Sequence, residues 1–216
     1  MVTLTRYQLR PMTEADVPQV ADIEAQSFPT TWPRTAYRRE LANRLARYLV
    51  LVDRAHGPIT PEEREPHRKS LLGFLRRKPS AELTSDFIVG YVGVWLMVDQ
   101  AHIVAIAVRE EYRRRGLGEL LLSESIDMAL SNGQESVTLE VRRSNESAQT
   151  LYEKYRFLKV GVRRRYYTDN HEDALIMTTP PINTGAYAEH LAYLRDRWER
   201  RWGQDSGSDG GAISSS

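Results

Sequence analysis

Apolar and polar positions along this chain follow two periods, and the switches between them mark its elements. Thr3 to Leu9 reads as a first strand. Thr13 followed by Asp16 resembles a capping box, and Val17, Val20, Ala21 and Glu24 then recur at helical spacing. Pro29 and Pro33 bracket a turn carrying Phe28 and Trp32; a second helix is expected from about Arg34 to Leu45, then a short strand from Tyr48 to Asp53. Asp86 to Val98 resumes as a strand. Asp99 and Gln100 turn it into another through His102 to Val108, an antiparallel hairpin. The run Ile103–Val108 is almost wholly apolar, as expected of a strand buried on both faces. Leu122, Ile126, Ala129 and Leu130 share a helical face that stops at Asn132-Gly133.

Strict alternation returns at Ser136 to Val141. Val137, Leu139 and Val141 point one way, Thr138 and Glu140 the other. Ser144 and Asn145 are N-cap candidates for a helix whose Ala148, Leu151, Tyr152 and Tyr155 form one stripe, with Tyr152 near its start. Phe157–Thr168 and Ala174–Thr178 read as strands around a polar turn. After Pro180-Pro181, a last amphipathic helix carries Tyr187, Leu191, Leu194 and Trp198, a stripe for the core or for a partner. The order β-α-α-β, insertion, β-β-α-β-α-β-β predicts an α/β domain on a mixed sheet. Residues 1–180 form that domain, with 54–85, dense in proline and charge and without a period, as a surface insertion. Residues 181–204 are a C-terminal helical extension, and 205–216 a disordered Gly/Ser tail.

Composition narrows the chemistry. The 216 residues carry a net charge of only +1, which argues against bulk electrostatic binding of nucleic acid. There is no cysteine, so a cysteine nucleophile and a cysteine zinc site are excluded. The five histidines show no metal-ligand spacing. No apolar leader and no membrane-spanning window is present, and a cytoplasmic protein is expected.

The apolar strand runs through Arg113-Arg114-Arg115-Gly116-Leu117-Gly118-Glu119 straight into a helix. Helix-first amides lack intrahelical partners and the macrodipole adds partial positive charge, so such a turn is an anion cradle. It matches neither the Gly-Lys-Ser/Thr phosphate loop nor the G-x-G-x-x-G dinucleotide loop.

This Arg-x-x-Gly-x-Gly turn resembles the acyl-CoA pyrophosphate loop of the GNAT superfamily of N-acetyltransferases. Further pieces follow in order: Leu139-Glu140-Val141-Arg142 with Ser144-Asn145, Ala148 with Leu151-Tyr152, Phe157, and Arg164-Arg165-Tyr166-Tyr167 before Asp173-Ala174. Together they resemble the branch that acetylates the N-terminal alanine of ribosomal proteins. The resemblance covers the central third strongly and leaves out the insertion and the last helix. It implies a GNAT fold: a mostly antiparallel sheet flanked by helices on both faces. It also implies acetyl-CoA as co-substrate, no metal, and a protein N-terminus, with a ribosomal protein suspected, as partner.

The resemblance also implies roles. Ile106, Ala107 and Val108 would bond the pantetheine arm through their backbone, the loop from Arg113 to Glu119 would hold the pyrophosphate, and Asn145 would contact the coenzyme near its thiol. Glu140 would be the general base and Tyr152 the general acid. Apart from the resemblance, the run Arg163–Tyr167 reads as a strand on the peptide-binding side, with Tyr166 and Tyr167 closing over the acceptor and Trp32 a further substrate-binding candidate. Each has a plainer alternative: Tyr152 as a core tyrosine, Glu140 in a salt bridge with Arg142 or Arg164, Asn145 as a simple N-cap. A lysine or small-amine acceptor, or a non-catalytic RNA- or ribosome-binding module, also stays open. One departure stands out. Arg156 occupies the family's usual glycine position; a left-handed backbone there would cost on the order of 1 kcal/mol.

Overall fold

The computed structural model describes residues 6–28, 34–57 and 86–203. Trp32, most of the expected insertion and the expected tail lie outside them. One seven-stranded sheet runs β1-β2-β3-β4-β5-β7-β6. Its strands are β1 (Tyr7–Pro11), β2 (Ala46–Asp53), β3 (Ile88–Leu96), β4 (Gln100–Val108), β5 (Ser136–Arg142), β6 (Leu158–Arg163) and β7 (Ala174–Thr178). All neighbours are antiparallel except β4 and β5. The helices are α1 (Val17–Ser27), α2 (Arg34–Ala42), α3 (Leu117–Ser131), α4 (Glu146–Lys154) and α5 (Gly185–Trp202).

The central strands are apolar on both faces because each face has its own core. Val20, Ile23 and Tyr37 of α1 and α2 pack with Tyr48, Val50, Ile88 and Tyr91 on one side. On the other, Leu121, Leu122 and Ile126 of α3, Tyr152 of α4 and Leu191 and Leu194 of α5 pack with Leu51, Val92, Ile103 and Leu139. A bulge changes parity within β4. Gly93 pairs with Ala105 but Val94 with Ile103, which leaves Val104 as the extra residue. Ala101 and Ile103 therefore face the α3 side before it, and Ile106 and Val108 after it.

The one parallel pairing is also short. β4 and β5 are in register only from Gln100↔Ser136 to Ile103↔Leu139. Beyond that β5 continues along β7 to Arg142, whereas β4 stays with β3. The sheet splits, and the edge of β4 from Val104 to Val108 loses its strand neighbour.

Two expectations shift. The strand expected over Phe157–Thr168 is only Leu158–Arg163. Past it the chain turns, with Arg165 at φ 51° and its amide donating to Asp173 Oδ1 at 2.8 Å. Tyr152 lies in the last turn of α4, not near its start. The last helix packs on the core, burying Tyr187, Leu191, Leu194 and Trp198. It also ties other elements together. Tyr187 Oη donates to Tyr155 O at 2.9 Å, His190 Nε2 lies 2.9 Å from Lys154 O, and Trp198 Nε1 donates to Gly116 O at 2.8 Å.

Candidate active site

Two clefts open along the split, one at each end of the free β4 edge. The first surrounds the turn before α3 and holds about 450 Å³ of solvent-fillable space. Its floor is the N-terminus of α3. Gly116, the N-cap, sits at φ 74°, and no side chain caps the helix. The first amide with an acceptor is that of Leu120, which donates to Gly116 O at 3.1 Å. Those of Leu117, Gly118 and Glu119 have none among the described residues. Gly116 is required twice over. Its φ favours glycine, and a Cβ would stand 2.6 Å from the Trp202 ring.

Side chains of the loop divide. Arg113, Arg114, Leu117 and Glu119 line the cleft. Arg113 reaches Val108 O at 3.2 Å and Ser27 Oγ at 3.3 Å. Arg115 turns away, donating to Glu111 O at 3.0 Å with its guanidinium 5.0 Å from the Tyr112 ring. Lys154 pairs with Glu119, so that carboxylate does not stand bare in the cleft. Val108 lines this cleft and Ile106 the second, while the Ala107 side chain is buried on the opposite face of the sheet. What the three share toward the split is backbone.

The second cleft, also about 450 Å³, gathers Ile103–Ile106, Leu139–Arg142, Asn145, Tyr152, Tyr166 and Tyr167 with Glu24, Tyr37 and Tyr48 from the α1–α2 side. Glu140 and Tyr152 thus line one cavity. The Glu140 side chain is 9% exposed and each oxygen has a donor: His102 Nε2 is 2.6 Å from Oε2, and Arg163 Nε donates to Oε1 at 2.8 Å. The His102 hydrogen bond, with Arg163 adding to it, holds the Glu140 carboxyl below the usual carboxylate range despite burial. The salt bridge weighed in the sequence is real but has other partners: Arg142 instead binds Asp169 at 2.8 Å and Glu172 at 3.3 Å.

Tyr152 is 6% exposed, and its hydroxyl has no hydrogen bond among the described residues. Burial pushes that phenol well up from its ordinary value, so it stays protonated. That hydroxyl keeps some solvent exposure and is without a partner among the described residues. Here it faces a cleft where a substrate atom would supply one.

Asn145 does cap α4, its Oδ1 accepting from Ala148 N at 3.1 Å, yet it lines the same cleft. Tyr166 and Tyr167 meet edge to face, their centroids 5.2 Å apart, and Arg142 lies 3.8 Å from the Tyr167 ring centre. Burial pushes the Tyr167 phenol up to about 12.

Sequence reasoning missed His102, which it read only as a strand position, and the pairing of Arg163. It also missed the α1–α2 wall, where Tyr37 Oη donates to Glu24 Oε2 at 2.7 Å. Their apolar-stripe spacing gave no sign of a cavity. Only the presence of Glu24 in such a stripe could have pointed there.

A sheet split between β4 and β5, with a glycine turn opening α3 at one end of the free edge and Glu140 and Tyr152 at the other, is compatible with an acetyltransferase. The chain belongs to the Acetyltransferase (GNAT) family, whose profile matches residues 17–157. It is 34% identical over 174 residues, 80% of this chain and 95% of the other, to a Bacillus subtilis protein named as a candidate [ribosomal protein bS18]-alanine N-acetyltransferase. It is 44% identical over 87 residues, 39% of this chain and 59% of the other, to the Escherichia coli [ribosomal protein bS18]-alanine N-acetyltransferase. The crystal structure of the ribosomal-protein-S18-alanine N-acetyltransferase from Escherichia coli superposes with a TM-score of 0.63 at 25% identity, covering 83% of this chain and 96% of that one.

Proposed function

We infer that this enzyme transfers the acetyl group of acetyl-CoA directly to the α-amino group of a protein N-terminus, the N-terminal alanine of a small-subunit ribosomal protein being the acceptor. The observation that carries the reading is the meeting of Glu140 and Tyr152 in one cleft at the end of the unpaired β4 edge. The names of the Bacillus subtilis and Escherichia coli relatives support the choice of acceptor.

The chain's residues fit the co-substrate. Unpartnered amides of Leu117, Gly118 and Glu119 suit a diphosphate. The free backbone edge at Ile106–Val108 suits the two amides of a pantetheine arm, taken up as an added strand would be. The amine nitrogen attacks the thioester carbonyl, the new C–N bond forms, and the C–S bond breaks. The nitrogen gains positive charge as it attacks. Glu140, ionised and flanked by His102 and Arg163, stabilises that charge and accepts its proton through a water. An α-amino group near pKa ~8 asks only a weak base for this. Tyr152 Oη, protonated and unpartnered, gives its proton to the leaving thiolate.

A peptide panel tests the acceptor. With acetyl-CoA, a peptide beginning with a free alanine is expected to be acetylated at its α-nitrogen. The same peptide blocked at the N-terminus but carrying lysine, and free spermidine, are expected to react far more slowly. Preference for lysine or polyamine would overturn the choice of acceptor, and no turnover with any of them would remove catalysis.

A further inference from the structure

The cleft around Gly116 has a second wall that the family profile does not reach. The profile ends at residue 157, yet Arg197, Trp198, Arg201 and Trp202 of α5 line that cleft. Each arginine and each tryptophan recurs four residues on, so they form two adjacent rows on one helical face. The tryptophan row fixes the helix. Trp198 donates to Gly116 O, and Trp202 lies against the face of Gly116 where a Cβ would be.

The arginine row is uncommitted. Neither Arg197 nor Arg201 has a carboxylate partner among the described residues; their guanidinium groups lie 5.8 Å and 4.9 Å from the rings of Tyr193 and Trp202. Their neighbours differ: Arg195 pairs with Asp127 and Arg200 with Asp196. Across the cleft Lys154 is paired with Glu119 and Arg115 is turned away. The positive charge left without a carboxylate partner in this cleft therefore comes from Arg113, held only by neutral acceptors, from Arg114 and from α5. The C-terminal carbonyls of α5 would repel an anion, so charged side chains must do the attracting.

We propose that α5 is the grip for the nucleotide end of the coenzyme: Arg197 and Arg201 bind its phosphates, and Trp202 supplies the flat wall beside them. Guanidinium forks match phosphate oxygens in pairs, and the coenzyme's 3′-phosphate adds a further anionic group beyond the diphosphate at the α3 amides. The inference rests on the reading of that turn as the diphosphate site.

Calorimetric titration with acetyl-CoA, and with adenosine 3′,5′-bisphosphate, which has no pantetheine, tests it. Both arginines are exposed, so the Arg197→Ala/Arg201→Ala variant is expected to melt with the wild type. It should bind acetyl-CoA about 10- to 100-fold more weakly, as for the loss of one or two charge-assisted contacts. It should also lose the bisphosphate. Arg200→Ala, off the cleft, should leave both affinities unchanged. Unchanged affinity in the double variant, or equal weakening by Arg200→Ala, would overturn the inference alone. A wild-type chain that does not bind acetyl-CoA would overturn the acetyltransferase reading itself.

Discussion

At the scale of single residues, Tyr152 and Arg156 show what the sequence could say. Glu140 and Tyr152 stood out only through the family resemblance, because an alternating strand and a helical stripe place them yet leave a salt bridge and a core tyrosine open. What holds Glu140 was not legible, because His102 and Arg163 lie 38 and 23 residues away and meet it only through sheet register. Tyr152→Phe removes a cleft-facing hydroxyl that has no hydrogen bond among the described residues. Stability should be unchanged or slightly higher. If the phenol is the proton donor, kcat should fall about 100-fold or more while the Kd for acetyl-CoA holds. Stopped turnover assays with calorimetry check the split, and a lost affinity would mark Tyr152 as a packing residue. Arg156 does adopt the left-handed backbone, at φ 62°. Arg156→Gly should therefore raise the unfolding free energy by about 0.5–1 kcal/mol in urea titration. No gain would mean that its contact with Ala186 O, at 3.4 Å, offsets the strain.

Elements were legible where their period was strong and illegible where packing decided. The stripe of α5 announced a buried face but not what it covers, since amphipathicity names no partner. The run Ile103–Val108 is apolar throughout, so no alternation could reveal the bulge at Val104. Tyr166 and Tyr167 have strand propensity, yet Arg142, held by Asp169 and Glu172, turns their segment over the cleft. Because α5 joins the main core, Leu191→Ala should cost about 2–5 kcal/mol in one cooperative denaturant transition. A separate early transition for α5 would show that the helix is an appendage.

The whole molecule carries a pH signature. Asp16 is buried, which alone would raise its pKa, but hydrogen bonds from Arg10 and Thr13 hold it below the ordinary range. Burial works the same way on Asp53, outweighed by Arg6 and the Ala55 amide. Glu140 is lowered by His102, and Glu172 is held at about 2 by Ser144. Each takes up its proton in the unfolded chain near pH ~4 but in the folded chain only below that. Their stabilisation is therefore present above the ordinary carboxylate range and lost as pH falls through it toward 2. Glu124, raised by burial, works in the opposite sense, the one exception among the shifted carboxyls of the described residues. Denaturant midpoints should be nearly flat from pH 7 to about 5 and fall steeply below. Midpoints that hold or rise from pH 5 to 3 would contradict the ion-pair account.

Catalysis as proposed requires a thioester seated between one carboxylate and one phenol. A crystal structure with a peptide joined to coenzyme A through its N-terminal nitrogen tests this most directly. The sulfur should lie about 3–3.5 Å from Tyr152 Oη, with the peptide nitrogen facing Glu140 across a water and the diphosphate on the amides of Leu117 to Glu119. A sulfur remote from Tyr152, or a diphosphate away from those amides, would contradict it.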